Sequence, residues 1–141
     1  MKTLQTPRRE AAASDAAGTP VRTHRMFVRD LVLDCLIGVH RYERDGRQRV
    51  RINLALDVLE TGPAERDRLA DVVNYDALAG RIRALAKAGH VNLVETFAER
   101  IAAICLDDRR VRRATVRVEK LDVFDDAESV GVEIERENRA L

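Results

Sequence analysis

After residue 25 the chain alternates between apolar and polar positions, and the period of that alternation changes twice. Met26–His40 is rich in Val, Ile and Leu and alternates in part, which predicts a long strand. Arg49–Leu59 alternates almost without error, placing Val50, Ile52, Leu54, Leu56 and Val58 on one side of a half-buried strand. Between them Tyr42–Arg47 reads as a turn, with Asp45-Gly46 as a hairpin signal, so the two strands are expected to pair antiparallel. A polar connection containing Gly62 and Pro63 leads to Asp71–Asp76, after which the period becomes helical. Leu78, Ile82 and Leu85 mark one face of a helix over about Tyr75–Ala88, with Gly89 as its stop. A second helix is predicted over Leu93–Leu106, with Leu93, Phe97, Ile101 and Ile104 as its buried stripe. The two-residue period then returns in Val111–Lys120 and Glu128–Glu135.

The order strand–strand–helix–helix–strand–strand predicts an α+β fold, a four-stranded, mostly antiparallel sheet with two helices on one face. Strands of this length leave open edges and a partly apolar second face, which a single copy covers badly. A homo-oligomer is therefore expected, its sheets continuing from subunit to subunit. Residues 1–24, rich in Ala, Arg, Thr and Pro without periodicity, read as a disordered tail ahead of one domain over 25–141.

Composition removes several classes of function. Aromatic residues make up 4% with no Trp, which is poor material for stacking nucleic-acid bases. The net charge is +1, and the tail carries most of the basic excess, so the domain has no electrostatic case for binding DNA or RNA. Cys35 and Cys105 stand singly in apolar surroundings and read as buried free thiols. No apolar run approaches the ~18 residues that span a bilayer, and no secretory signal opens the chain, so a cytoplasmic protein is expected.

His24, His40 and His90 lack ligand spacing, and no metal site is signalled. Glycine-rich phosphate loops and the G-x-S-x-G nucleophile motif are also missing. Four residues at element ends remain: Glu43, Tyr75, Glu95 and Lys120. Asn92 followed three residues later by Glu95 has the form of a capping box. Glu95 can therefore cap its helix, or it can pair with an amidine-like edge of a ligand. Taken singly, each of the four has an ordinary explanation: Glu95 as a cap, Lys120 as a solvated charge, Tyr75 as partial core and Glu43 as a solvent-facing residue beside a turn. His40 and His90 read as loop or surface residues.

The segments Ile37–Glu43 (IGVHRYE), Asp71–Tyr75 (DVVNY), Asn92–Ile101 (NLVETFAERI), Val116–Lys120 (VRVEK) and Ser129–Arg136 (SVGVEIER) occur in an order and spacing that resembles the dihydroneopterin aldolases of folate biosynthesis. The likeness covers nearly all of the chain after the tail. It implies the tunnelling fold, in which four subunits form a ring-shaped barrel, two rings stack into an octamer, and the sites lie between neighbours. It also implies retro-aldol cleavage of a pterin substrate, 7,8-dihydroneopterin, to 6-hydroxymethyl-7,8-dihydropterin and glycolaldehyde without cofactor or metal, with epimerisation at C2′ as an accompanying activity. On this resemblance Glu95 and the backbone of Val94 hold the pterin ring edge, and Tyr75 of an adjacent subunit covers or stacks on the ring. Glu43 reaches the substrate side chain or its ordered water, and Lys120 handles protons near N5.

One departure is visible. Where many members of the family carry proline after this lysine, Leu121–Asp126 is acidic and free of Pro. The acids there would repel a triphosphate tail, which disfavours the related dihydroneopterin-triphosphate epimerase. The alternatives left open are that epimerase, an aldolase for another pterin, and an oligomeric pterin-binding protein without catalysis.

Overall fold

A computed structural model describes residues 21–44, 46–61 and 66–138. Most of the expected tail, together with Asp45, Gly62 and Pro63, lies outside the described residues. Strands β1 (Thr23–Cys35), β2 (Gln48–Leu59), β3 (Val111–Lys120) and β4 (Val130–Glu137) form one antiparallel sheet in the order β1-β2-β3-β4. A helical turn, α1 (Arg41–Arg44), follows β1, and helices α2 (Tyr75–Lys87) and α3 (Val94–Leu106) separate β2 from β3. β1 starts at Thr23, just inside the segment read as tail.

The alternation in β2 is what sets its pairing. Val50, Ile52, Leu54, Leu56 and Val58 are buried, their neighbours are not, and a one-residue slip would expose all five. Opposite them β3 buries Ala114, Val116 and Val118. The helices cover this face with Leu78, Ile82 and Ala86 from α2 and Phe97, Ala98, Ile101, Ala102 and Cys105 from α3. Each fully buried aliphatic or aromatic side chain contributes roughly 1.5–3 kcal/mol. Both cysteines lie free in this core, and burial pushes the Cys105 thiol up to about 12.

Several features differ from the sequence reading. β1 ends at Cys35 rather than His40, because Gly38, at φ +128°, turns the chain out of the sheet and Ile37 bridges to Val91 instead. The connection to β2 is therefore no tight hairpin but a longer loop containing α1. The Asn92–Glu95 capping box does not form: Leu93 is the N-cap of α3 and supplies no side-chain bond. Leu93, 46% exposed, also falls outside the buried stripe, which runs through Phe97, Ala98, Ile101, Ala102 and Cys105.

Candidate active site

Two consequences of the fold meet at one end of the sheet. The period that buries Val116 and Val118 carries Lys120 to the same helix-covered face, and in β2 it does the same for Gln48, two residues before Val50. Meanwhile the loop leaving β1 is stitched to the segment ahead of α3. Gly38 N donates to Val91 O at 2.9 Å, Val91 N donates to Leu36 O at 2.9 Å, and His90 Nε2 lies 2.7 Å from Gly38 O. That stitching folds α1 back over the sheet end and drives Glu43 inward.

Glu43 is 3% exposed, in contrast to the solvent-facing residue that its place beside a turn suggests. Lys120 Nζ donates to its Oε2 at 2.8 Å, with the lysine side chain only 14% exposed rather than solvated. Gln48 Nε2 donates to the same oxygen at 2.8 Å and to Ile37 O at 2.7 Å, and His40 N reaches Oε1 at 3.4 Å. Burial disfavours the charged carboxylate, but the bonds from Lys120 and Gln48, with the ammonium charge, outweigh it, and the Glu43 pKa lies below its ordinary value. The close fit depends on Gly38: a Cβ there would stand 2.4 Å from Glu43 Cδ.

On the opposite face of the sheet a second acid, Glu119, is gripped by Arg51 through two bonds of 2.9 Å and by Ser129 Oγ at 2.7 Å. The Arg51 fork, opposed by burial and helped by Ser129, holds Glu119 down to about 2. Beyond Lys120 the Pro-free loop is fastened by Asp122, which accepts from Arg49 Nη2 at 2.7 Å and from its Nε and backbone N at 3.2 Å.

Glu95 stands exposed in the first turn of α3 and Val94 beside it is half-buried against the core. The Ile37–Val91 bridge brings the approach to this helix against the loop that carries Glu43. Among the described residues Glu95 makes no capping bond, and as an acid near a helix N-terminus it presents its carboxylate where the backbone favours negative charge.

Tyr75 is placed elsewhere. It is 62% exposed, not partial core, at the start of α2, where Asn74 Oδ1 caps the helix by accepting from Asp76 N and Ala77 N. This end is tied to the beginning of β3, because Arg110 Nη1 donates to Ala70 O. Lys120 ends the same strand, and ten residues at ~3.3 Å each separate the two ends by roughly 30 Å. One chain thus brings Glu43 and Lys120 together and, through the Ile37–Val91 bridge, sets the segment leading to Val94 and Glu95 against the same loop, but keeps Tyr75 away. Beside Tyr75 an open groove of about 490 Å³ is lined by Leu69, Val72, Val73, Leu78 and Ile104. Among the described residues no group of three or more His, Cys, Asp and Glu side chains could hold a metal ion.

Sequence reasoning passed over Gln48, Gly38 and the Asn74 cap. Asn74 had a signal, an Asn one residue before a helical period. Gly38 and Gln48 had none, since their importance arises from contact with Glu43.

Comparison with known proteins identifies the fold and the family. Residues 26–135 match the family "FolB: Dihydroneopterin aldolase". The dihydroneopterin aldolase of Streptomyces coelicolor is 40% identical over 95 residues, covering 63% of this chain and 79% of that one. A Burkholderia thailandensis dihydroneopterin aldolase crystallised with guanine superposes with a TM-score of 0.71 at 36% identity, over 82% of this chain and 91% of that one. The FolB protein of Vibrio cholerae gives a TM-score of 0.76 at 25% identity, over 82% and 98% of the two chains. By the match over 26–135 and the identity to the Streptomyces enzyme, the chain belongs to the FolB dihydroneopterin aldolase family.

Proposed function

We propose that this protein cleaves 7,8-dihydroneopterin into 6-hydroxymethyl-7,8-dihydropterin and glycolaldehyde by a retro-aldol reaction. The observation that carries the reading is the buried pair of Lys120 and Glu43 at the sheet end next to the head of α3. In this reaction a proton leaves the C2′ hydroxyl, the C1′–C2′ bond breaks, and its electron pair enters the ring C=N bond while N5 takes a proton. The resulting enamine is then protonated at C1′ while N5 gives up its proton, which restores the ring C=N bond. The substrate supplies its own electron sink, so the protein has to hold the ring and move protons.

Lys120, bonded to its carboxylate partner, is the donor to N5. Glu43, directly or through a water, faces the hydroxyl-bearing side chain. Glu95 accepts parallel N–H bonds from the 2-amino group and N3, each worth on the order of 1.5–3 kcal/mol, and the backbone of Val94 borders the same edge. The guanine held by the Burkholderia relative carries a similar amino-amide edge. Because Tyr75 stands at the far end of its own chain, the Tyr75 that covers the ring belongs to a neighbouring subunit. A ring of subunits joined through the open edges of β1 and β4, stacked as an octamer, fits that requirement. The cytoplasm is the compartment this reading assigns. No helix of the described residues is long and apolar enough to cross a membrane.

The test is product analysis. Purified protein given 7,8-dihydroneopterin should release glycolaldehyde and 6-hydroxymethyl-7,8-dihydropterin in equal amounts, and Lys120→Met should release neither. Formation of the C2′ epimer alone would reassign the protein as an epimerase, and pterin binding with no product would leave a binding protein.

A further inference from the structure

We propose that Gln48 is a positioning residue of this site, its carboxamide nitrogen forked between Ile37 O and Glu43 Oε2 so that Glu43 is held as the anionic partner of Lys120. The inference rests on the function proposed above and deepens it. Gln48 opens β2 on the helix-covered face, and its backbone pairs with Cys35, the last residue of β1. The side chain is thereby fixed from both sides of the loop that carries Glu43.

A carboxamide nitrogen has two hydrogens and no acceptor capacity. Both are spoken for, one by the Ile37 carbonyl at 2.7 Å and one by Glu43 Oε2 at 2.8 Å. With the first bond in place the nitrogen can only donate to Glu43, so it favours the ionised carboxyl, the stronger acceptor, over the protonated one. Lys120 Nζ meets the same oxygen at 2.8 Å, which makes Oε2 the shared acceptor of an uncharged and a charged donor. The uncharged donor persists when the lysine gives up its proton during turnover. Glu43 then keeps a hydrogen-bonded place inside the protein instead of becoming a buried charge without a partner.

The other titratable groups around Glu43 are few. Lys120 comes from β3 and His40 from Glu43's own loop, the latter contributing only its backbone N–H. His90, ahead of α3, spends its ring nitrogen on Gly38 O, and Cys35 ends β1 as a buried thiol. None of these replaces the Gln48 bond.

Two variants separate positioning from packing. Gln48→Glu keeps the shape but removes the donor and adds a second acid. Gln48→Leu removes all polarity. The expected result with dihydroneopterin is a kcat lower by about tenfold or more at neutral pH with KM changed less than about threefold. The acid limb of the kcat/KM profile should move up by about one pH unit, further in Gln48→Glu than in Gln48→Leu. Independently of turnover, the Glu43 carboxyl resonance in ¹³C-labelled protein should titrate at higher pH in both variants than in the wild type. If both fold, as judged by circular dichroism, yet the Glu43 titration and the acid limb stay at wild-type positions, the proposal is overturned. Failure of Gln48→Leu to fold leaves the isosteric Gln48→Glu to decide. A wild-type protein that releases no glycolaldehyde would remove the proposed reaction, and the carboxyl titration would still decide the role of Gln48.

Discussion

Replacing Lys120 by Met removes the ammonium while filling most of its volume, and leaves the Glu43 carboxylate buried with Gln48 Nε2 and the distant His40 N–H. Breaking a buried ion pair from one side costs about 3–5 kcal/mol. Since Gln48 still donates to the same oxygen, the lower end applies, about 3 kcal/mol, or roughly 6–12 °C in Tm for a chain of this size. The pH dependence carries the more specific signature. In the wild type Glu43 has a lowered pKa, so its contribution is present above the unfolded carboxyl pKa and is lost as pH falls through the folded one. Without Lys120 two of the influences that lower the pKa are gone, and burial, the largest single one, is expected to prevail over the Gln48 and His40 bonds, so that the folded pKa rises above the unfolded value. Stability of the variant is then lost as pH rises through the carboxylate range and regained on acidification. Thermal melts should show the deficit of Lys120→Met shrinking between pH 7.5 and pH 5, and adding Glu43→Gln should restore most of it at pH 7.5. Melting curves displaced by the same amount at both pH values, with no rescue by Glu43→Gln, would refute the reasoning.

Other consequences can be checked alongside. Glu95→Ala should weaken pterin binding by about ten- to a hundredfold in calorimetry, while costing less than about 1 kcal/mol of stability because α3 takes no side-chain cap from it. Gly38→Ala should lose both activity and about 2 kcal/mol or more, since φ +128° suits only glycine and the new methyl would displace Glu43. Glu119, held down to about 2, contributes stability above its unfolded pKa that disappears as pH falls from about 4.5 to 2, so acid unfolding of Glu119→Gln should be flatter across that range.

The sheet was legible because β2 and β3 are each buried on one face, which writes the two-residue period directly into the sequence. Where the face rule lapses, so does the reading. Leu36–His40 continues β1 in composition, yet Gly38 and the Val91 bridge take it out of the sheet, an event decided by contacts more than fifty residues away. Glu43 and Lys120 are separated by 77 residues, and nothing local distinguishes them from surface charges. Their place at element ends made them candidates and only resemblance to the aldolases gave them roles, whereas Gln48 had neither pointer. Glu95 shows the reverse case, a local cap signal that the folded chain does not use. Asn92 and Glu95 are the right residue types, but Leu93 takes the extended N-cap conformation, one position later than the pattern predicts.

The proposed reaction centre is assembled from Glu43 and Lys120 of one subunit and Tyr75 of another. Subunit complementation reads this most directly. Lys120→Met and Tyr75→Ala proteins, each inactive alone toward 7,8-dihydroneopterin, are to be mixed, dissociated and reassembled. Random association should rebuild about a quarter of the sites with both native side chains, so about a quarter of wild-type glycolaldehyde release should return. A reassembled mixture with no activity, while wild-type protein taken through the same cycle recovers fully, would contradict a site shared between subunits.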